Sequence, residues 1–217
     1  MKLLYYDKHI AVAVKPRGIL SQEGKGIHML SLLSEALGGE FFPVHRLDRE
    51  TAGVMVYART QKAAAALSQS IQEGNFKKEY LAVTHILSIP QEGNLEDVLF
   101  FDRQKNKVFP VKKERRGAKY ARLSYTLAEE KDDLFLFRVF PQTGRTHQIR
   151  VQFASRKMPL FGDRKYGGKG EGFGLFAHAL SFEHPIEKTP LSFWAIPKDI
   201  SPWNLFSDYF SSLNKKD

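Results

Sequence analysis

Short apolar runs and a few helical stripes alternate along this chain. Residues 10–14 form a β-branched strand-like run, closed by Lys15-Pro16-Arg17-Gly18, where Pro and Gly together signal a turn. Residues 21–26 are polar and glycine-rich and read as loop. Leu30, Leu33 and Leu37 share one face of a helix over 29–37, stopped by Gly38-Gly39. Residues 41–44 lead into a charged stretch, and 54–58 form the next strand. Thr60 is placed to cap an alanine-rich helix over 61–73 that ends at Gly74-Asn75. Strands follow over 77–83 and 95–101, with a turn region at 90–94.

The second half has more strands. Residues 123–128 and 134–140 pair across the polar Glu129-Glu130-Lys131-Asp132-Asp133. Thr146 is expected to cap a helix running to about Arg156, with Ile149 and Phe153 on one face. Residues 161–174 are glycine-rich and basic and read as a flexible loop. Strands are predicted at 175–182 and 191–195. The clearest helix is 202–213: Ser201 caps it, Pro202 suits its first turn, and Trp203, Phe206, Phe210 and Leu213 form a stripe for core packing. There is no internal repeat and no break in composition. Many strands with a few non-alternating helices predict an α+β fold in a single domain over 1–217.

Composition narrows the function. Hydrophobic residues are 42% and charged residues 26%, so a folded core is expected rather than disorder. Lys and Arg number 33 against 24 acids, a net charge of +9, which favours a polyanionic partner, nucleic acid first. Residues 103–122 are the most basic part: nine Lys or Arg, including Lys112, Lys113, Arg115 and Arg116, and only one acid, Glu114. This segment is either a solvated hairpin or a surface that tracks phosphates. No cysteine is present, which excludes disulfides and thiolate chemistry and fits a reducing cytoplasm. No run is long enough for a membrane span, and the start of the chain has no uninterrupted apolar leader segment.

The densest chemistry lies in His45-Arg46-Leu47-Asp48-Arg49-Glu50-Thr51-Ala52-Gly53, beside the strand at 54–58. The seven histidines lack metal-ligand spacing, with His178 and His184 the closest promising pair, so no metal is expected. No phosphate loop and no nucleophile elbow occurs. Asp48 and Glu50 are too close along the chain for a glycosidase pair. What remains is a carboxylate framed by arginines, an environment that favours the ionised form. Such a group is either a structural salt bridge or a nucleophile or general base.

This stretch resembles the H-R-L-D signature of the RluA-type RNA pseudouridine synthase family. Other stretches resemble that family's motifs in order. They are Val14-Lys15-Pro16-Arg17-Gly18, Lys78-Glu79-Tyr80-Leu81-Ala82, Gly144-Arg145-Thr146-His147-Gln148-Ile149-Arg150-Val151, Phe161-Gly162-Asp163 with Tyr166-Gly167, and Ala177-His178-Ala179 with His184-Pro185. Val14, Ala52 and Gln152 depart from the usual pattern.

The resemblance implies a pseudouridine synthase fold, a mixed, mostly antiparallel sheet flanked by helices, in a form without an N-terminal S4 domain. It implies an isomerase that converts uridine to pseudouridine in structured tRNA or rRNA without a cofactor. Asp48, Tyr80 and Arg145 would be the catalytic residues. Arg46 would enter the stack vacated by the flipped base, Asp48 would assist departure of uracil from C1′, Tyr80 would pack on the base, and Arg145 would pair with Asp48. His45, Arg49, Arg150, Lys112, Lys113, Arg115 and Arg116 are candidate RNA contacts. A cytoplasmic monomer with no obligate protein partner is the expected state. The alternative is a catalytically silent RNA-binding module on the same fold; a hydrolase using Asp48 lacks a partner carboxylate.

Overall fold

A computed structural model describes residues 1–112, 115–197 and 200–213. Among these the chain runs β1 (Lys2–Tyr6), β2 (Ile10–Lys15), α1 (Met29–Leu37), β3 (Phe42–Pro43), β4 (Ala52–Ala58), α2 (Gln61–Gln72) and β5 (Lys77–Thr84). It continues through β6 (Glu92–Asp102), β7 (Lys107–Val111), β8 (Ala118–Lys131), β9 (Leu134–Pro141), α3 (Gln148–Ser155), β10 (Leu175–Glu183), β11 (Pro190–Trp194) and α4 (Ser207–Leu213). Two 3-10 turns lie at Arg164–Tyr166 and Trp203–Phe206. The fold is α+β, and nearly all strand pairs are antiparallel. The chain forms two compact units, one of Met1–Lys78 with Phe176–Ala195 and one of Glu79–Leu175 with Ile196–Asp217.

In the first unit, β1, β2, β4 and β10 lie side by side, with β11 on β10 and β3 against the end of β4. Ile10 to Ala13 and Val54 to Ala58 are buried without alternation, because both sheet faces are covered. Helix α2 packs on β4 and β3. The β4–β10 contact is parallel and pairs Gly53 with Ala177. A Cβ on Gly53 would overlap the Ala177 backbone, and Gly53 has φ +134°, so only glycine fits there. Strand β1 has no sequence signal: as an edge strand it keeps Lys2, Leu3 and Tyr6 exposed and shows no burial period. Thr60 caps α2 as expected, accepting from the Ala63 N–H, whereas α1 is capped by His28 Nδ1.

The β1–β2 turn is organised by Asp7. Its Oδ1 accepts the N–H groups of His9 and Ile10 at 2.6 and 2.8 Å. Its Oδ2 accepts the Tyr5 hydroxyl at 2.8 Å and His184 Nε2 at 2.9 Å. Burial alone would raise the Asp7 pKa, but the N–H groups of Ile10 and His9, with Tyr5 and His184, outweigh it and hold the carboxyl below its ordinary value. A depressed folded pKa contributes stability that is present above the unfolded value, near pH 4, and is lost as pH falls through the folded one. Asp7→Asn should therefore lower the melting temperature at pH 7. The gap to the wild type should narrow towards pH 3 in thermal scans; a gap that stays constant would contradict this account.

In the second unit the order is β5-β9-β8-β6-β7, all antiparallel. Its core joins Leu123, Tyr125, Phe137 and Val139 of the sheet to Ile149 and Phe153 of α3. Tyr125, Phe137 and Phe153 meet edge to face. Asp132 and Asp133 both take positive φ, so β8 and β9 extend to a two-residue turn, and the polar run around them belongs largely to the strands. Residues 92–94, expected as turn, belong to β6 and pair with β8.

Three further expectations change in this unit. Thr146 does not cap α3; the N-cap is His147, in the left-handed region and with no side-chain cap bond. The stripe at 202–213 is a 3-10 turn followed by a short α4 rather than one helix. Residues 161–174 are not a loose loop. A Cβ on Gly162, Gly168 or Gly172 would overlap backbone atoms of Gly172, Leu160 and Ser201, so the glycines permit close main-chain packing. Phe161 and Gly174 also bond the backbone of Val83 in β5.

Candidate active site

In the first unit the charged stretch is a loop between β3 and β4, and its anchor is Lys15. This side chain is fully buried at the end of β2. Its Nζ donates to the carbonyls of Ile19 at 2.8 Å, Pro16 at 3.0 Å and Arg49 at 3.2 Å. All three ammonium protons are thereby used. Burial lowers the Lys15 pKa to about 8, opposed by the charges of Asp48 and Glu50. The hydrophobic pattern placed Lys15 in a turn, because nothing in a sequence shows that a lysine has backbone carbonyls to cap.

Further bonds fix the same loop. Gly18 N–H donates to the Arg49 carbonyl at 2.8 Å, and Arg49 Nε returns to the Gly18 carbonyl at 2.9 Å. Ser21 Oγ donates to the carbonyl of the buried Leu47 at 3.1 Å. The Thr51 N–H closes on the Asp48 carbonyl at 3.1 Å. Asp48 is held half-buried by this frame, while Arg46 and Arg49 are exposed. Glu50 pairs with Arg17 at 2.9 Å, both side chains nearly half exposed, a contact of little energetic weight.

His45, a candidate RNA contact, instead serves the fold. Its Nε2 accepts the Val56 N–H of β4 at 3.1 Å, and its ring packs edge-on against Phe76. Its Nδ1 is shut off from solvent. Burial first, and the nearby Lys78 charge second, lower its pKa to about 3, so it stays neutral.

In the second unit Tyr80 lies on β5, opposite Val139, half-buried against the core. Arg145 is exposed just before α3. Its Nε donates to the Tyr120 carbonyl at 2.8 Å. Its N–H is accepted at 3.0 Å by Oε1 of Gln148, which also accepts from Thr143 Oγ1 at 2.7 Å. Gln148 Nε2 donates to the Arg122 carbonyl at 3.0 Å. Gln148 is thus a positioning residue that the linear motif did not single out, since a glutamine shows its bonding partners only in the fold.

Arg150, expected at an RNA surface, is turned inward. It is 6% exposed and makes a two-pronged pair with Asp163, Nε–Oδ2 at 2.7 Å and Nη2–Oδ1 at 2.8 Å. Its guanidinium also lies near the Tyr166 and Phe173 rings. Removing one partner of a buried pair strands the other charge. Lys112, Arg115 and Arg116 are exposed on the basic segment between β7 and β8, while Lys113 lies outside the described residues. Among the described residues no three His, Asp or Glu side chains gather as a metal site.

These features match known proteins. The family model described as RNA pseudouridylate synthase matches residues 9–155. An RNA pseudouridine synthase of Mycoplasma pneumoniae is 32% identical, across 100% of this chain and 71% of its own length. One of Aquifex aeolicus is 35% identical over 86% of this chain and 66% of its own length. The ribosomal large subunit pseudouridine synthase C of Buchnera aphidicola is 31% identical over 76% of this chain and 54% of its own length. In fold, human RNA pseudouridylate synthase domain containing 4 superposes with a TM-score of 0.75 at 23% identity, covering 91% of this chain and 89% of that one. Human RNA pseudouridylate synthase domain containing 1 gives 0.78 at 20% identity, covering 93% and 84%. The chain belongs to the RluA-type RNA pseudouridylate synthase family. It is an isomerase that acts on uridines in RNA.

Two substitutions test the supporting frame. Arg150→Ala should cost about 3–5 kcal/mol of stability by leaving Asp163 buried and unpaired. It should show as a lower denaturation midpoint, and an unchanged midpoint with weaker RNA binding would restore the surface role. Lys15→Met should cost about 1–3 kcal/mol, because three carbonyls each lose the bond from its ammonium, although the Arg49 carbonyl keeps the Gly18 N–H. Thermal unfolding measures this, and wild-type stability would remove Lys15 as the anchor.

Proposed function

We propose that Asp48 is the essential carboxylate and that it acts on a uridine flipped out of structured tRNA or rRNA. The observation that carries this reading is the Asp48 loop itself. Asp48 is half-buried in a loop whose main chain is held by the buried Lys15 ammonium, through the Arg49 carbonyl, and by a set of backbone bonds, with the exposed Arg46 two residues before it. A reacting group needs this fixed geometry, because misplacement by even 1 Å costs rate steeply.

Each residue has a role. Arg46 fills the space left by the flipped base, since a stacked uridine hides its glycosidic bond. Asp48 assists uracil departure from C1′, by covalent capture or by proton abstraction at C2′. The uracil turns and rejoins through C5, and the C5 proton leaves. Tyr80 packs on the base and receives that proton. Arg145 supplies the cationic side chain of the reaction. Arg49, Lys112, Lys113, Arg115 and Arg116 contact phosphates. Ribosomal RNA is supported by relatives named for the large ribosomal subunit; transfer RNA is the second substrate. The enzyme works as a cytoplasmic monomer, without a cofactor.

Bulk tRNA or rRNA carrying tritium at uridine C5 tests the reaction. The wild type should release tritium. Asp48→Asn should reduce the release rate by about 10³-fold or more while keeping RNA affinity. Full activity in Asp48→Asn would overturn the assignment.

A further inference from the structure

One face of the β6–β7–β8 ribbon is apolar where a solvated face should be polar. The pairing sets Val98 between Val111 and Tyr120, and Phe100 between Phe109 and Ala118. Alternation puts these six side chains on one face. The opposite face carries Leu99, Val108 and Ala121, which pack with Val151 of α3. The core thus claims one face and leaves the aromatic one uncovered: the six are partly exposed, and Tyr120 is 48% exposed.

The rim of this face is cationic. The Arg115 guanidinium lies 3.7 Å from the centroid of the Phe100 ring. Lys105 and Lys107 place their ammonium groups 5.6 and 5.9 Å from the Phe109 centroid. Of the acids on the β6 part of this face, Glu96 is paired with Arg122 at 3.3 Å and Asp102 accepts the Lys105 N–H at 3.0 Å. A shallow depression of about 400 Å³ is lined by Val98, Arg115, Arg116, Ala118 and Tyr120.

We propose that this face is a base-stacking platform for one or two unstacked nucleotides of the RNA substrate. Single-stranded RNA is held by stacking bases on aromatic rings or guanidinium planes while cations take the phosphates. Tyr120 and the Arg115–Phe100 stack supply the two platforms. Arg116, Lys105 and Lys107 supply phosphate partners. Tyr120 does so without belonging to the reacting machinery: its side chain is on the platform, and only its backbone carbonyl holds Arg145. The proposal rests on the RNA-modifying reading above and adds where a flanking nucleotide is held.

The test compares the 217-residue wild type with Tyr120→Ala, Tyr120→Phe and Arg116→Ala. Binding of a single-stranded RNA oligomer and of an RNA hairpin is measured by fluorescence anisotropy across a salt series. Tyr120→Ala should weaken binding of both RNAs by about 10-fold with an unchanged salt slope. Tyr120→Phe should bind within about twofold of the wild type, because stacking survives loss of the hydroxyl. Arg116→Ala should flatten the slope by about one phosphate contact. The side chain is exposed, and equal melting temperatures would confirm intact folding.

Wild-type affinity in both Tyr120→Ala and Arg116→Ala would overturn the platform. So would a Tyr120-dependent affinity for anionic phospholipid vesicles in place of RNA. Tritium release separates the two readings. Release by the wild type alongside unaffected variants removes only the platform. No release by the wild type, with binding still dependent on Tyr120, removes only the catalytic assignment.

Discussion

The Lys15 ammonium has no solvent to lean on, and its three bonds run to the carbonyls of Pro16, Ile19 and Arg49. Two segments distant in sequence are thus clamped by one cation, and the loop bearing Asp48 is one of them. Burying a charge is unfavourable unless it is fully paired. Here the nearby Asp48 and Glu50 charges offset part of that cost, although burial still dominates the Lys15 pKa. The carboxylate and the lysine therefore support each other: the lysine shapes the loop, and the loop's acids help keep the lysine charged.

The second unit solves the same problem with neutral groups. Gln148 accepts from Arg145 N–H and Thr143 Oγ1 and donates to Arg122, so one amide ties the turn before α3 to strand β8. The Arg145 side chain is steadied by the Tyr120 carbonyl. Deeper in, Arg150 and Asp163 join α3 to the glycine-rich segment after it. Close main-chain packing around Gly162, Gly168 and Gly172 makes that segment part of the scaffold. Rigid supports of this kind are what a site needs if its reacting groups are to stay in register.

The motifs made the family legible because several short patterns stood in one order, and the family model and relatives agree. The same motifs did not say which of their charged residues face out. Arg46 and Arg150 look equivalent in a linear string, yet one is exposed and the other is sealed against Asp163. His45 looked like a contact for the substrate, and it is a neutral acceptor for the Val56 N–H. Strand β1 carries no pattern in the sequence for the opposite reason: as an edge strand it has no buried face to impose a period.

The amino-acid sequence by itself determined the α+β class, the strands with strong apolar runs, the capped α2 helix, the cationic character and the family. Each follows from local chemistry: β-branched runs, cap residues, net charge and motif order are properties of neighbours along the chain. Tertiary structure alone decided which polar groups are buried anchors and which are exposed. That choice depends on burial and on partners far apart in sequence, as between Lys15 and Arg49 or Arg150 and Asp163. It also created the exposed aromatic face around Tyr120, since only strand register could put Phe100, Phe109 and Tyr120 on the side that the core leaves uncovered.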